Sequence, residues 1–291
     1  MSSSDIPVVD FAPYRTGTSQ DAVADAIITA LRQHTCLYLT NHGVPQQQLD
    51  GLMQQSRRFF ELPVDVKNQS ARAPGYQPSP GYIGQGVESV SEAVAPEVRE
   101  CFDLMLQSSP PASNVEAVQL TDAMRNLNQS FHNLTLEMFA CISRGLHLDA
   151  GQRDNIFAAH AHMGDVSRNS TMLRSAWYPA MQPTELDSHT RISPHTDFGT
   201  ISFIYQDDAG GLEVDPNRGN FIPAAPLPGA LLVMAADVFQ YWTSAEIKAT
   251  NHRVVPNRNN YTSPRQSFVF FVDPDYEAPI VPFDLRATRS P

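Results

Sequence analysis

The stretch HTDFGTISFIY, residues 195–205, does most to decide the fold of this chain. It begins with His195 and Asp197, two positions apart, and continues into a run rich in β-branched and aromatic residues, Thr200–Tyr205. Residues i and i+2 of a β-strand lie on the same face of the strand. We therefore expect an imidazole and a carboxylate to lie side by side on extended backbone, where both could bind one metal ion.

Two later motifs extend this site. His252 follows Asp197 by 55 positions, and Arg265-Gln266-Ser267 follows His252 by 13. Two imidazoles and one carboxylate can hold Fe(II) on one face and leave the opposite face open for a chelating co-substrate and O₂. An arginine fork and a hydroxyl on one side of a strand suit a carboxylate, such as the distal carboxylate of a dicarboxylic 2-oxo acid.

The short motif alone is weak, because 9 histidines and 31 acidic residues produce about one His-x-Asp/Glu by chance. His147-Leu148-Asp149 is such a match, at the end of an apolar-periodic helix. In a continuing helix the two side chains would diverge; if Gly145 ends the helix, Asp149 suits the N-cap of the next one. His160 and His162 could form a second metal pair, but we interpret them as a surface helix end.

The composition of the chain limits the classes of molecule that could be its partners. The chain has 291 residues, 42% of them hydrophobic and 18% charged, with a net charge of −11 and only two lysines among 20 basic residues. Without a basic run, nucleic acid and anionic membranes are poor partners. No cluster of charges in the sequence marks a substrate pocket, so the identity of the substrate is not predicted. No obligate protein partner is evident.

Cysteine usage and the absence of targeting signals suggest a compartment. Cys36, Cys101 and Cys141 are scattered among apolar neighbours, which predicts buried thiols rather than a disulfide framework or a zinc cluster. The N-terminus lacks the charged and apolar parts of a secretion signal, and no apolar run reaches membrane length. We therefore expect a reducing, cytoplasmic location, which also suits Fe(II).

The order of predicted elements changes near His160. Before it, strands alternate with helices, a loop spans Ser70–Glu97, and the longest helix covers about Ala117–Ser143. After it come eight short strands separated by turns, which predict an antiparallel jelly roll: 171–178, 190–195, 200–205, 212–214, 219–222, 230–234, 249–254 and 267–273. We divide the chain into an N-terminal region (5–110), supporting helices (111–166), a β core (167–275) and a C-terminal tail (276–291).

The chain resembles the isopenicillin N synthase-like branch of the Fe(II)/2-oxoglutarate oxygenases along nearly its whole length. The resemblance implies a mainly β protein with α elements: a distorted double-stranded β-helix (jelly-roll) core, a long supporting helix and N-terminal α/β elements. Many ordered stretches carry it, among them Ile6–Phe11, Thr40–Pro45, Phe59–Pro63, Gly81-Tyr82, Cys101–Leu104, Trp177–Pro179, His195–Asp197, Gly210–Leu212, Thr250–Val254, Arg265–Ser267 and Phe271–Pro274.

The resemblance also implies the roles of individual residues. The Fe(II) ligands would be His195, Asp197 and His252, with no further catalytic residue. Arg265 and Ser267 would hold the C5 carboxylate of 2-oxoglutarate, and Tyr178 would line the same pocket. The implied reaction is oxidation of a small organic molecule by O₂, by hydroxylation, desaturation or ring chemistry, in natural-product biosynthesis, with ascorbate as a stimulant. Five aromatic residues are candidates for the substrate pocket: Tyr82, Phe102, Phe203, Tyr241 and Phe271.

Two alternatives stay open at this point. An Fe(II) oxidase of the isopenicillin N synthase type carries a similar Arg-x-Ser motif without using 2-oxoglutarate, and a non-catalytic binding protein could be built on the same barrel. A zinc hydrolase would fit the ligand types, but no general base stands at a recognisable spacing.

Overall fold

The strands of the computed structural model, which describes residues 6–75, 79–89, 97–111, 114–216 and 219–285, form two sheets. In chain order the strands are β1 Val8–Asp10, β2 Cys36–Thr40, β3 Gly81–Ile83, β4 Glu100–Leu104, β5 Met172–Tyr178, β6 Ile192–His195, β7 Ile201–Gln206, β8 Leu212–Asp215, β9 Ile222–Pro223, β10 Ala230–Ala235, β11 Asn251–Val254 and β12 Arg265–Val272.

The larger sheet has eight strands in the order β1-β2-β10-β7-β12-β5-β4-β3, and the smaller sheet has four in the order β6-β11-β8-β9. All neighbouring strands pair antiparallel except β1 and β2, which are parallel. The N-terminal region therefore supplies both edges of the larger sheet, and the later β region supplies its centre and the whole smaller sheet.

Helices cover one face of the larger sheet. The helices are α1 Ala12–Arg15, α2 Gln20–His34, α3 Gln46–Phe60, α4 Val64–Asn68, α5 Val115–Gly145, α6 Ala150–Ala158 and α7 Asp237–Trp242, with a 3₁₀ turn at Pro183–Glu185. None of the helices in the described ranges combines the length and the apolar character needed to cross a bilayer.

Helix α5 shows why the sequence builds this layer. The side chain of Asn114 caps the helix by accepting a hydrogen bond from the Ala117 amide at 2.8 Å. Apolar residues at helical spacing then face the sheet. Among them Phe131 stacks on Phe203 and Phe270, with ring centroids 5.8 and 5.2 Å away. The outward-facing residues of β7 and β12 are thus buried under the helix.

The inner face of the larger sheet packs against the smaller sheet. One buried cluster joins Tyr178 and Ile204 of the larger sheet to Ile192, Val214 and Val254 of the smaller one. Strand residues alternate between this inner cluster and the helix-facing cluster, as the period of two requires. The interior between the sheets is where the candidate site lies.

The predicted fold class, the eight later strands and the long helix are confirmed. Helix α5 ends at Gly145, where a Cβ would lie 2.6 Å from the carbonyl oxygen of Ala24 in α2, so the close approach of the two helices requires glycine. The predicted loop over Ser70–Glu97 is partly wrong, because Gly81–Ile83 pairs with β4 as the edge strand β3. Residues 76–78 and 90–96 of that loop lie outside the described residues.

Candidate metal centre and anion pocket

Three predicted ligands converge between the sheets. His195 is the last residue of β6 and lies directly opposite His252 of β11 in the register of the smaller sheet. The carboxylate oxygen Oδ1 of Asp197 lies 3.8 Å from Nε2 of each histidine. One ligand atom from each of the three residues lies within 4.8 Å of the others. One ion could bind all three.

The local geometry differs from the predicted one in a single respect. We expected His195 and Asp197 to share one face of a strand, but β6 ends at His195 and Asp197 lies in the turn that leads to β7. Backbone hydrogen bonds from the start of α7 hold this turn: the Asp237 amide donates to the Asp197 carbonyl and the Val238 amide donates to the Gly199 carbonyl, each at 2.9 Å. At Gly199 an added Cβ would lie 2.3 Å from the carbonyl oxygen of Val272, so the chain passes β12 too closely for any side chain.

Hydrogen bonds orient each ligand. Nδ1 of His195 lies 2.8 Å from the carbonyl of Ser193, and Nδ1 of His252 lies 3.0 Å from the carbonyl of Thr250. A carbonyl can only accept, so each Nδ1 carries the proton and each Nε2 lone pair is free for a metal. The hydroxyl of Ser202 donates to Oδ2 of Asp197 at 2.6 Å, which leaves Oδ1 toward the histidines.

The electrostatics of the centre favour neutral imidazole. Burial lowers the pKa of His195, and the neighbouring His252 lowers it further. A neutral imidazole is the form that binds a metal. Two neutral nitrogens and one carboxylate, with no thiolate, form a donor set that fits Fe(II).

A second group of polar side chains lies at the paired ends of β5 and β12. Arg265 stands opposite Tyr178 in the register, and its guanidinium carbon lies 4.7 Å from the centre of that ring. The guanidinium donates to the Ser267 hydroxyl at 3.0 Å and to Oε1 of Gln206 at 2.9 Å, and its Nε has no hydrogen-bond partner. The structure thus brings together the three residues predicted to bind 2-oxoglutarate, and it adds Gln206.

Arg191 belongs to the same pocket and was missed by the sequence analysis. Its side chain is fully buried, and its guanidinium carbon lies 5.8 Å from the centre of the Tyr178 ring. Within the described part of the chain, none of its three side-chain nitrogens has a hydrogen-bond partner. Burial lowers the pKa of Arg191 to about 10, and the like charge of Arg265 contributes. The sequence did carry a signal, because Arg191-Ile192-Ser193 repeats the Arg-x-Ser pattern of Arg265-Gln266-Ser267, but Arg168-Asn169-Ser170 repeats it as well and we had dismissed both as chance matches.

The fold brings together charged residues that no run in the sequence marks. An ionic cluster of three arginines and three acidic residues, Arg72, Glu88, Glu97, Arg99, Asp103 and Arg174, joins four segments of the chain. Asp103 accepts two 2.7 Å hydrogen bonds from Arg174, while Glu97 accepts one from the Ser193 amide at 3.0 Å. Arg99 is close enough to lower the pKa of His195. The cluster forms only on folding because its members are distant in sequence.

Three of the five predicted substrate-pocket aromatics lie in the helix-facing core. Tyr82 and Phe102 pack against Phe59 of α3, and Phe203 packs under α5, so we do not assign these three to the pocket. Tyr241 is 56% exposed on α7. Phe271 is half-buried and lies 6.0 Å from Arg174, on the β12 face that carries Arg265.

One exposed aromatic residue beside the ligands was overlooked. Phe198 follows Asp197 directly and is 83% exposed, which is unusual for a phenylalanine. Its adjacency to Asp197 was the signal available in the sequence.

The other histidine motifs have structural roles. Asp149 caps α6 by accepting from the Gln152 amide at 2.9 Å, in agreement with the N-cap interpretation. The surface interpretation of His160 is wrong: it is buried, and its ring nitrogens lie 2.8 Å from the Ile156 carbonyl and 2.9 Å from the Thr200 hydroxyl. Nδ1 of His162 instead lies 2.6 Å from the Asp275 carboxylate.

Comparison with known families agrees with this geometry. Residues 6–134 match the family described as non-haem dioxygenase in morphine synthesis N-terminal, and residues 168–274 match the 2OG-Fe(II) oxygenase superfamily. The chain belongs to the 2-oxoglutarate- and Fe(II)-dependent oxygenases, and it is an oxidoreductase that uses Fe(II), 2-oxoglutarate and O₂. Members of this family act on small molecules.

Similar proteins include fungal enzymes. The chain is 30% identical to the proline hydroxylase buaE of Petromyces alliaceus, over 90% of this chain and 84% of that protein. It is 28% identical to the 2-oxoglutarate-dependent dioxygenase frbA of a Dothideomycetidae species, over 86% and 78% of the two chains. A full-length Neurospora crassa protein, solved in complex with α-ketoglutarate, is 26% identical, with a TM-score of 0.83 over 98% of this chain and 90% of that chain.

Proposed function

We propose that His195, Asp197 and His252 bind the Fe(II) of this oxygenase, and that Arg265, Ser267, Gln206 and Tyr178 hold the C5 carboxylate of 2-oxoglutarate. The convergence of one ligand atom from each of the three residues within 4.8 Å carries this proposal. These three residues would hold the ion and leave part of its coordination sphere for 2-oxoglutarate and O₂. When bound, iron and 2-oxoglutarate supply the oxidising chemistry.

The residues of the chain prepare the centre for this chemistry. Ser193 and Thr250 hold the two imidazoles with Nε2 deprotonated, and Ser202 fixes the carboxylate of Asp197. A donor set held in place in this way needs little reorganisation on binding metal. The Gln206 amide is itself fixed, because its nitrogen donates to the Ala224 carbonyl at 2.8 Å while its oxygen accepts from Arg265.

We also propose that the substrate is a small polar molecule that reaches the iron beside the ionic cluster and Phe271. Glu97 of the ionic cluster accepts a hydrogen bond from the amide of Ser193, whose carbonyl orients His195, and Arg174 lies beside Phe271. Two similar proteins fit this class: one is named a proline hydroxylase, and the Neurospora crassa protein has been solved with thymine. Hydroxylation is the expected outcome, in the biosynthesis of a natural product.

A cytoplasmic location remains part of the proposal. The three cysteines are free and buried, which is consistent with a reducing compartment.

Two measurements test the proposal. Anaerobic titration of the Fe(II)-loaded protein with 2-oxoglutarate is expected to produce the weak visible charge-transfer band of the chelate. Succinate should then form in step with the loss of substrate when a panel of free amino acids and nucleobases is offered with O₂. Substrate loss without succinate would contradict the 2-oxoglutarate requirement and favour an Fe(II) oxidase.

A further inference from the structure

The side chain of Arg191 is a buried cation whose donors find no acceptor among the residues that the structure describes. Each guanidinium carries five N–H donors, yet no described residue accepts from a side-chain nitrogen of Arg191, which is 0% exposed. Buried polar groups in proteins are almost always hydrogen-bonded, and a charged group loses most on leaving water. A fully buried arginine with three unpartnered nitrogens therefore calls for an acceptor that binds from outside the chain.

The nearby acidic residue does not supply that acceptor. Asp207 is close enough to influence Arg191. Both of its oxygens are already used, because Oδ2 accepts from the Gln266 amide at 2.6 Å and Oδ1 accepts from the Ala209 amide at 3.1 Å. The face of the Tyr178 ring offers a cation–π contact at 5.8 Å, but a ring face satisfies no N–H donor.

The same pocket holds a second arginine, Arg265, which is paired only with neutral groups. Arg265 donates to a hydroxyl and to an amide oxygen, and its Nε has no partner. Both guanidiniums lie against the ring of Tyr178, at 4.7 and 5.8 Å. Two buried like charges beside one ring repel each other, and among the described residues no carboxylate hydrogen-bonds to either of them. An anion is the ligand that relieves both conditions.

We infer that Arg191 is a second co-substrate-binding arginine, which donates with Arg265 to the C5 carboxylate of 2-oxoglutarate. This inference rests on the proposed function and adds a positioning residue to it. A carboxylate has acceptor sites for two forks, so one anion can serve both guanidiniums. It follows that Arg191 makes the pocket selective for a dicarboxylic 2-oxo acid, and that without the anion Arg191 destabilises the fold.

The inference is tested by comparing two co-substrates in anaerobic titrations of the charge-transfer band. The first is 2-oxoglutarate, and the second is 2-oxopentanoate, which has the same chain length and the same chelating end but a methyl group at C5. Arg191→Met should raise the Kd for 2-oxoglutarate about 10- to 100-fold, the effect of losing charge-assisted hydrogen bonds. The Kd for 2-oxopentanoate should stay within about twofold. Arg191→Lys, which keeps the charge and loses the fork, should fall between wild type and Arg191→Met.

Urea unfolding provides a second readout that does not depend on catalysis. In the metal-free protein without 2-oxoglutarate, Arg191→Met should raise the unfolding midpoint, because an apolar side chain replaces an unpaired buried charge. The added stability that Fe(II) and 2-oxoglutarate give should shrink in the same variant. Arg32→Met is a matched control, since Arg32 makes a partly exposed ion pair with Glu246, and it should change neither Kd.

The possible outcomes distinguish a failure of the proposed function from a failure of the role inferred for Arg191. If wild type gives no band with either acid, the proposed function fails. If wild type binds 2-oxoglutarate and Arg191→Met binds it equally well, the role of Arg191 is overturned while the proposed function stands. A lower midpoint in Arg191→Met together with an unchanged Kd would make Arg191 a structural cation–π residue. An equal loss of affinity for both acids would also overturn the inference, since it would place Arg191 away from the C5 carboxylate.

Discussion

Two largely buried arginines of this protein are held under opposite conditions. Arg174, on β5, makes two 2.7 Å hydrogen bonds to Asp103 and lies 3.1 Å from Glu88. Arg191, before β6, has no hydrogen-bond acceptor among the residues that the structure describes. Burial alone would lower the pKa of Arg174, but Asp103 and Glu88 outweigh it and raise the pKa, whereas burial and Arg265 lower the pKa of Arg191.

The difference separates structural charge from functional charge. A buried charge whose partners belong to the same chain is neutralised within the folded protein. Removing one partner leaves the other charge uncompensated. A buried charge without partners costs stability and persists where a ligand completes it. The ionic cluster around Arg174 is of the first kind, and the pocket of Arg191 and Arg265 is of the second.

The largest effect is expected at the proposed metal ligands. Asp197→Ala should abolish Fe(II) binding and turnover, because two imidazoles alone hold the ion weakly and the carboxylate supplies the only negative charge of the donor set. Iron content and succinate formation measure the two effects. The control is Asp208→Ala, which removes the carboxylate of an exposed residue on the loop after β7. An active, iron-loaded Asp197→Ala protein would overturn the ligand assignment.

The next effect separates the anion pocket from the cluster. Arg265→Met should raise the 2-oxoglutarate concentration needed for half-maximal succinate formation about 100-fold, because it removes a charged donor to the C5 carboxylate. Unfolding in urea without 2-oxoglutarate should show little loss of stability, since Arg265 is paired only with neutral groups. An unchanged 2-oxoglutarate requirement would remove Arg265 from its proposed role.

In the ionic cluster, the loss of an arginine should instead affect the stability of the fold. Arg174→Met should lower the free energy of unfolding by about 3–5 kcal/mol, because Asp103 is left buried with no cation. Arg125→Met, which breaks an exposed pair with Asp122, should cost no more than about 0.5 kcal/mol. Urea unfolding of the metal-free proteins compares them. If Arg174→Met lowered the free energy of unfolding no more than Arg125→Met does, the distinction between charges neutralised within the chain and charges awaiting a ligand would be contradicted.

The two arginine groups also mark the limit of prediction from sequence. His195, Asp197, His252 and Arg265-Gln266-Ser267 could be proposed from the sequence because they form short motifs in or beside predicted strands. The burial of Arg191 was not, because it depends on Tyr178, 13 residues away in sequence, and on the packing of two sheets. The ionic cluster likewise requires the pairing of β4 with β5, which brings Asp103 opposite Arg174.

Strand alternation could have sharpened one prediction. Phe271 stands six residues after Arg265 on β12, and the even spacing places both on the inner face. Phe203 and Phe102 instead lie on the helix-facing side of their strands. Counting along β12 from Arg265 would have singled out Phe271, because the two residues lie on the same strand.

The smallest expected effect is a pH dependence confined to the ionic cluster. Burial would raise the pKa of Glu88, but Arg174, Arg72 and Arg99 outweigh it and hold the pKa below its usual value of 4.5. A carboxylate with a lowered folded-state pKa contributes stability above its unfolded pKa and loses it as pH falls through the folded value. Glu88→Gln should therefore cost about 1 kcal/mol at pH 7, since Glu88 is partly exposed.

The acid titration distinguishes this cause from a packing effect. As pH falls below about 4.5, the unfolding free energies of wild type and Glu88→Gln should converge, because wild-type Glu88 becomes neutral as well. Burial also lowers the pKa of His42 and of His160 to about 4. Their contribution to the pH dependence is the same in both proteins, so it cancels when the two unfolding free energies are subtracted. A difference that stays constant down to pH 3 would assign the loss to packing, and Glu88 would then no longer count among the partners that complete the charge of Arg174.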